Sequence, residues 1–207
     1  MSSFLEKSAR AAVEHDRTAF NLAVWDKILG NPEFAAMPYR FETDEHGQII
    51  LSPWESPVHG ARAASISREL GCFTLFGRTI ISCPISTRKG AKAADVAWYS
   101  LEIWRESEGK SCLLRAPEIC VEILSPSNTR GEIEEKKQLY FDAGAVEFWL
   151  CSEDGAMTFP RGTPRSPHLS SVRNSRRRLT DPRLPPGIIL EKRTSRVRSS
   201  RKMGIRP

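Results

Sequence analysis

The stretch that most constrains the fold runs from Ala116 to Cys151, APEICVEILSPSNTRGEIEEKKQLYFDAGAVEFWLC. It reads as a buried strand, a polar turn, a helix and a second strand. In Ile119-Cys120-Val121-Glu122-Ile123-Leu124 the apolar run is continuous, as in a strand covered on both faces, except at Glu122. On a period of two, Glu122 shares its face with Cys120 and Leu124. An unpaired carboxylate there costs several kcal/mol, about the penalty for burying any isolated charge, so it must be paired, protonated or bound to a metal.

The following Ser125-Pro126-Ser127-Asn128-Thr129 stops the strand and offers hydroxyl and amide caps for a helix from about Gly131 to Ala143, which ends at Gly144. At about 100° per residue its apolar arc holds Ile133, Leu139, Tyr140, Phe141 and Ala143, and Lys136 and Lys137 fall inside it. Two readings stand at this point. Either both lysines lay their stems on the core and raise their amines to solvent, or one amine stays near Glu122.

The rest of the chain supplies a scaffold. Residues 4–29 carry apolar groups at helical spacing (Leu5, Ala12, Phe20, Val24, Ile28) and stop at Gly30-Asn31-Pro32. Tyr39–Glu42 and Gln48–Leu51 flank a turn ending in Gly47, a hairpin pattern. Helical spacing returns from Pro57 to about Leu70, and apolar strands are expected at Arg78–Cys83 and Ala94–Tyr99. In the second of these Asp95 is either another acid on a buried strand or a cap at its start. Leu101–Lys110 reads as a charged connector, and a short strand should run to Phe159. The order predicts an α/β or α+β domain with a mixed central sheet flanked by helices. Three segments are expected: a leading amphipathic helix (1–34), the main domain (35–159) and a tail (160–207).

Several classes drop out. No apolar run approaches the roughly 20 residues of a membrane span, and the amino terminus lacks a signal-peptide pattern, so a cytoplasmic setting without membrane contact is expected. Five cysteines without a CxxC pair predict reduced, mostly buried thiols. The net charge of +6 is divided unevenly: residues 160–207 hold 14 Lys or Arg against 2 Asp or Glu, so the remainder is acidic.

Three blocks together carry a family likeness: Ala94-Asp-Val-Ala-Trp98; Ala116-Pro-Glu-Ile-Cys-Val-Glu-Ile-Leu-Ser-Pro-Ser127; and Glu132-x3-Lys136-x3-Tyr140-x3-Gly144-Ala-Val-Glu-Phe-Trp149. They resemble the Uma-type family of "putative restriction endonucleases" in the PD-(D/E)XK nuclease superfamily. The resemblance covers roughly residues 35–159 and implies a restriction-endonuclease-like core. It also implies Mg²⁺ (or Mn²⁺) held by Asp95 and Glu122, with Lys136 as the catalytic lysine. Glu42 and His59 are further candidates for the site. The superfamily's usual lysine position, two residues after the second acid, is Leu124 here, so the amine is expected from the helix. Ala94 stands where the family usually has proline.

The residue types suit phosphodiester hydrolysis, in which carboxylate-bound Mg²⁺ offsets phosphate charge and activates water, and an amine offsets developing negative charge. The implied function is a metal-dependent endonuclease acting on DNA. Two rivals are a non-catalytic nucleic-acid or protein-binding module that keeps the fold, and a structural subunit resting on homodimer formation. The arginine-rich tail has two readings, a nucleic-acid arm or the product of a reading-frame shift.

Overall fold

The computed structural model describes residues 2–73 and 77–159, and the basic tail from residue 160 lies outside the described residues. The chain opens with α1 (Ser2–Leu29) and a single turn, α2 (Pro32–Ala35), capped by the Asn31 side chain. The hairpin follows as β1 (Tyr39–Thr43) and β2 (Ile49–Pro53), and then α3 (Pro57–Phe73). The main sheet is built from β3 (Gly77–Thr87), β4 (Gly90–Ser100), β5 (Ile119–Ile123), β6 (Glu147–Cys151) and β7 (Met157–Thr158). Two further helices, α4 (Leu101–Glu106) and α5 (Arg130–Asp142), interrupt the strands.

The strand order is β3-β4-β5-β6-β7. Only β5 and β6 run parallel, joined by the crossover through α5; the other pairs are antiparallel. β1 and β2 form a separate two-stranded sheet.

Period-two alternation sorts the core into layers. Ile119, Val121 and Ile123 of β5 pack with Trp149 against Ala63, Ile66 and Leu70 of α3. Cys120 and Phe148 face the other way, with Ile133 and Tyr140 of α5 and Ile103 of α4. Trp149, Phe148 and Tyr140 are at most 1 % exposed, and burial of each stabilises the fold by about 1.5–3 kcal/mol. Glu122 is therefore committed to the α5 side by its strand phase. The ends of α5 follow from its sequence. Thr129 Oγ1 accepts from the Glu132 amide at 3.2 Å while the Glu132 carboxylate accepts from the Thr129 amide at 2.8 Å, and Gly144 takes a φ of +109° just past the end.

Three expectations change. Leu101–Glu106 is helical within the expected connector: Ser100 caps it and Ile103 is fully buried, a signal too short for periodicity to show. β3 and β4 are longer than expected because small residues such as Ala91 and Ala93 fill their buried ends. In α1 the expected Ile28 is buried and Val24 packs beside it, but Phe20 is 40 % exposed, and Asn21 and Trp25 complete the inward stripe. Asn21 earns its buried place by donating to Thr87 O at 2.8 Å and Ser86 Oγ at 2.9 Å. All five cysteines are free, four of them buried and Cys72 exposed. No helix among the described residues is long and apolar enough to cross a membrane.

Candidate active site

The β4–β5 ladder pairs Val96 with Val121, and one step further along this register Asp95 stands opposite Glu122. Residues opposite one another in an antiparallel pair project to the same face, so strand geometry alone brings the two acids together. On the other side of Asp95 the β3–β4 pairing skips Ser82, which takes a φ of +55°. The main sheet is thus regular everywhere along this pair except beside Asp95.

Glu122 is 4 % exposed. Its Oε1 accepts from the Tyr140 hydroxyl at 2.7 Å and its Oε2 from Lys136 Nζ at 3.3 Å. Lys136 and Tyr140 lie four residues apart on one face of α5, so the helix delivers an amine and a phenol to the same carboxylate. Burial pushes the Glu122 carboxyl up to about 8, with Asp95 and Glu42 pushing the same way, against Lys136 and the Tyr140 hydrogen bond. For Lys136, burial favours the neutral amine, but Glu122 and Glu42 outweigh it and hold the group protonated well above the ordinary lysine range. Lys137, one residue on, turns away and pairs with Glu134 at 2.5 Å.

Glu42 arrives from the hairpin. Its Oε1 lies 2.8 Å from Lys136 Nζ and accepts from the Ala93 amide at 3.0 Å, while Lys136 also donates to Ala93 O at 3.3 Å. The hairpin is seated by a second link, from the Ala91 amide to Thr43 Oγ1 at 2.8 Å. It fits because residue 90 is glycine, with a φ of +92°: a Cβ there would fall on the backbone carbonyls of Thr43 and Asp44.

Asp95, 5 % exposed, belongs to a second group beside the first. Its Oδ2 accepts from the Ile123 amide at 2.7 Å and sits 3.2 Å from His59 Nε2; its Oδ1 accepts from Arg40 Nη1 at 3.0 Å. Arg40 also pairs with Glu55, whose other oxygen is 3.4 Å from His59 Nε2. Burial would raise the Asp95 carboxyl, but the His59 hydrogen bond, the Arg40 charge and the Ile123 amide hold it below the usual carboxylate range. Burial would likewise discharge His59, yet Asp95 and Glu55 raise it above the ordinary histidine value.

Of the five residues named from sequence, Glu42, Glu122 and Lys136 form one contact group and His59 and Asp95 another, the two groups meeting where Asp95 accepts from the amide of Ile123, the neighbour of Glu122. Three others were not named: Arg40, Glu55 and Tyr140. Arg40 alternates with Glu42 on β1 and so shares its face; Glu55 is four residues before His59; Tyr140 is one turn beyond Lys136. Each lay one structural period from a named residue. Among the described residues, the acid and histidine side chains whose ligand atoms converge within 4.8 Å are Glu55, His59 and Asp95, so the geometric cluster shares Asp95 with the expected pair but does not include Glu122. The donor set as a whole, carboxylate oxygens with one imidazole, fits a hard divalent cation such as Mg²⁺ or Mn²⁺.

Comparison with known proteins agrees with this architecture. No curated protein matches the chain. A solved structure from Anabaena variabilis ATCC 29413, described as "a putative nuclease belonging to DUF820", superposes with a TM-score of 0.53 at 20% sequence identity, covering 65% of this chain and 80% of that one. Its likeness shows a shared restriction-endonuclease-like fold. A family profile described as "Uma2: Putative restriction endonuclease" matches residues 32–191, from α2 past β7 into the basic tail. The chain belongs to that family.

Proposed function

We propose that the protein is a metal-dependent endonuclease that hydrolyses DNA phosphodiester bonds, with Asp95, Glu122 and Lys136 as its working residues and Glu42 beside them. The observation that carries this reading is the placement of the Lys136 amine, 2.8 Å from Glu42 and 3.3 Å from Glu122, in a patch that also holds Asp95. A purely structural lysine on this helix would have reached solvent, as an amphipathic stem does.

A divalent cation held by Asp95 and Glu122, with Glu42 or His59 able to complete its oxygen and nitrogen shell, would offset phosphate charge and make a water a better nucleophile. The chain's own residues supply the rest. Glu122 and Glu42 favour the charged form of the Lys136 amine, which suits it to stabilise negative charge on the phosphate. Tyr140 fixes the orientation of Glu122 through its 2.7 Å hydrogen bond. The Ile123 amide fixes Asp95. The nuclease description of the family supports the reaction class.

The test is cleavage of supercoiled plasmid and of end-labelled single- and double-stranded DNA in Mg²⁺ or Mn²⁺, with Asp95→Asn, Glu122→Gln and Lys136→Ala as controls. Cleavage that needs the metal and is lost in all three variants is expected. Activity surviving in Glu122→Gln and Lys136→Ala, or none with any substrate and metal, overturns the reading.

A further inference from the structure

Asp95 stands where the two side-chain groups meet, and its two oxygens are held by donors of different kinds. Oδ2 is held by the main-chain amide of Ile123 in the central strand β5, with His59 beside it. Oδ1 is held by Arg40, a side chain with a second anchor on Glu55, which is 29% exposed. A guanidinium and a divalent cation drawn to the same oxygen repel each other, because two positive charges would sit within a few ångströms in a buried site. The buried carboxylate nevertheless needs a positive partner whenever no metal is present, because an unpaired charge at 5 % exposure is strongly penalised.

We propose that Arg40 is a built-in counter-cation for Asp95 that competes with the divalent metal: it occupies Oδ1 in the metal-free protein and yields that oxygen when the ion binds, remaining on Glu55. The inference rests on the metal-dependent reading above. Three observations favour it. Arg40 Nη1 touches Asp95 and Glu55 together, so the guanidinium already shares its charge with a carboxylate outside the proposed metal ligands. Release from Asp95 leaves it paired with Glu55, so the exchange strands no buried cation. Arg40 also rides on the hairpin, on the same face as Glu42, and not on the central strands that fix the acids.

This role differs from simple positioning of Asp95 in the sign of one measurement. If Arg40 merely oriented Asp95, its removal would weaken metal binding; a competitor's removal strengthens it. Calorimetric titration of Mn²⁺ into the full chain separates the two. Arg40→Gln is expected to bind Mn²⁺ about tenfold tighter than wild type, the effect of removing one nearby positive charge, and Asp95→Asn in the same chain should cancel the gain. Arg40→Lys, which keeps the charge but cannot grip both carboxylates at once, should fall between them, and it carries the test if Arg40→Gln does not fold. Unchanged or weaker binding in a folded Arg40 variant, with wild type binding normally, overturns the competition and leaves the metal-dependent reading standing. Absence of Mn²⁺ binding in wild type and variants alike overturns both.

Discussion

The two halves of the site are built on different principles. Glu122, Lys136 and Tyr140 come from β5 and α5, elements of the central sheet and its crossover, and their contacts are enclosed: Glu122 and Tyr140 are nearly inaccessible. Arg40 and Glu42 come from the hairpin, Glu55 from the loop after it and His59 from the first turn of α3; the hairpin is joined to the main sheet through side chains and isolated amides. The inner half couples chemistry to the stability of the core. The outer half can change its contacts without disturbing the core, which is where an exchangeable cation belongs.

The strongest way to break this comparison is Glu122→Gln. It should cut cleavage on the order of 10²–10³-fold or more, the usual cost of losing one charge-stabilising group, measured as single-turnover rates. The same variant should be more stable than wild type in alkaline buffer. Glu122 has a folded-state pKa raised to about 8 from the ordinary 4.5, so the folded state keeps a proton that the unfolded chain releases. Stability then falls as pH rises from 4.5 to about 8, by at most about 1.4 kcal/mol per pH unit, and levels off above. His59, also raised, adds a loss of the same sign above its ordinary 6.5, so the fall between pH 4.5 and 6.5 isolates the glutamate. Urea denaturation of both proteins across this range checks the slope; a parallel pH profile in Glu122→Gln would show that the inner half is not coupled to the core.

The next largest effect is expected from Gly90→Val, which changes no titrating group. The left-handed backbone and the carbonyls of Thr43 and Asp44 leave no room for a Cβ, so the hairpin must shift or the strand must strain, at about 1–3 kcal/mol. Cleavage should fall with it because Glu42 is displaced, while near-ultraviolet circular dichroism of the core tryptophans is retained. The smallest contrast is the adjacent lysine pair. Lys137→Ala, which removes only a pairing with exposed Glu134, should change stability by less than about 0.5 kcal/mol and leave cleavage at the wild-type rate. Lys136→Ala should abolish it.

The same division decides what could be read from the sequence. The inner half announced itself because a charge in a buried strand violates the local pattern: Glu122 interrupts ICVEIL, and Lys136 sits in an apolar arc. The choice between Lys136 and Lys137 needed the family likeness as well, since one helical step of about 100° leaves both on the inner side. The layers followed from alternation in β5 and β6. The outer half violated nothing. Arg40 and Glu55 lie where charged residues are ordinary, in a short hairpin and a loop, and only long-range docking gives them partners 55 and 15 residues apart from Arg40. Helix α4 was missed for a related reason: six residues fixed by one cap and one buried isoleucine carry no period.

The hairpin's attachment has a kinetic meaning. β1 and β2 pair with each other, and no backbone ladder joins them to the main sheet. Undocking the hairpin breaks a few links at Ala91, Ala93 and Asp95 but none of the backbone pairs that define the central strands. Openings of this kind are the inexpensive ones in a native ensemble. The amides of Ala91 and Ala93, held by Thr43 and Glu42 of the hairpin, should therefore exchange with solvent deuterium ahead of the β4–β5 ladder a few residues away. Each excursion would dismantle and rebuild the outer wall of the site around inner residues anchored in the central strand and its crossover helix.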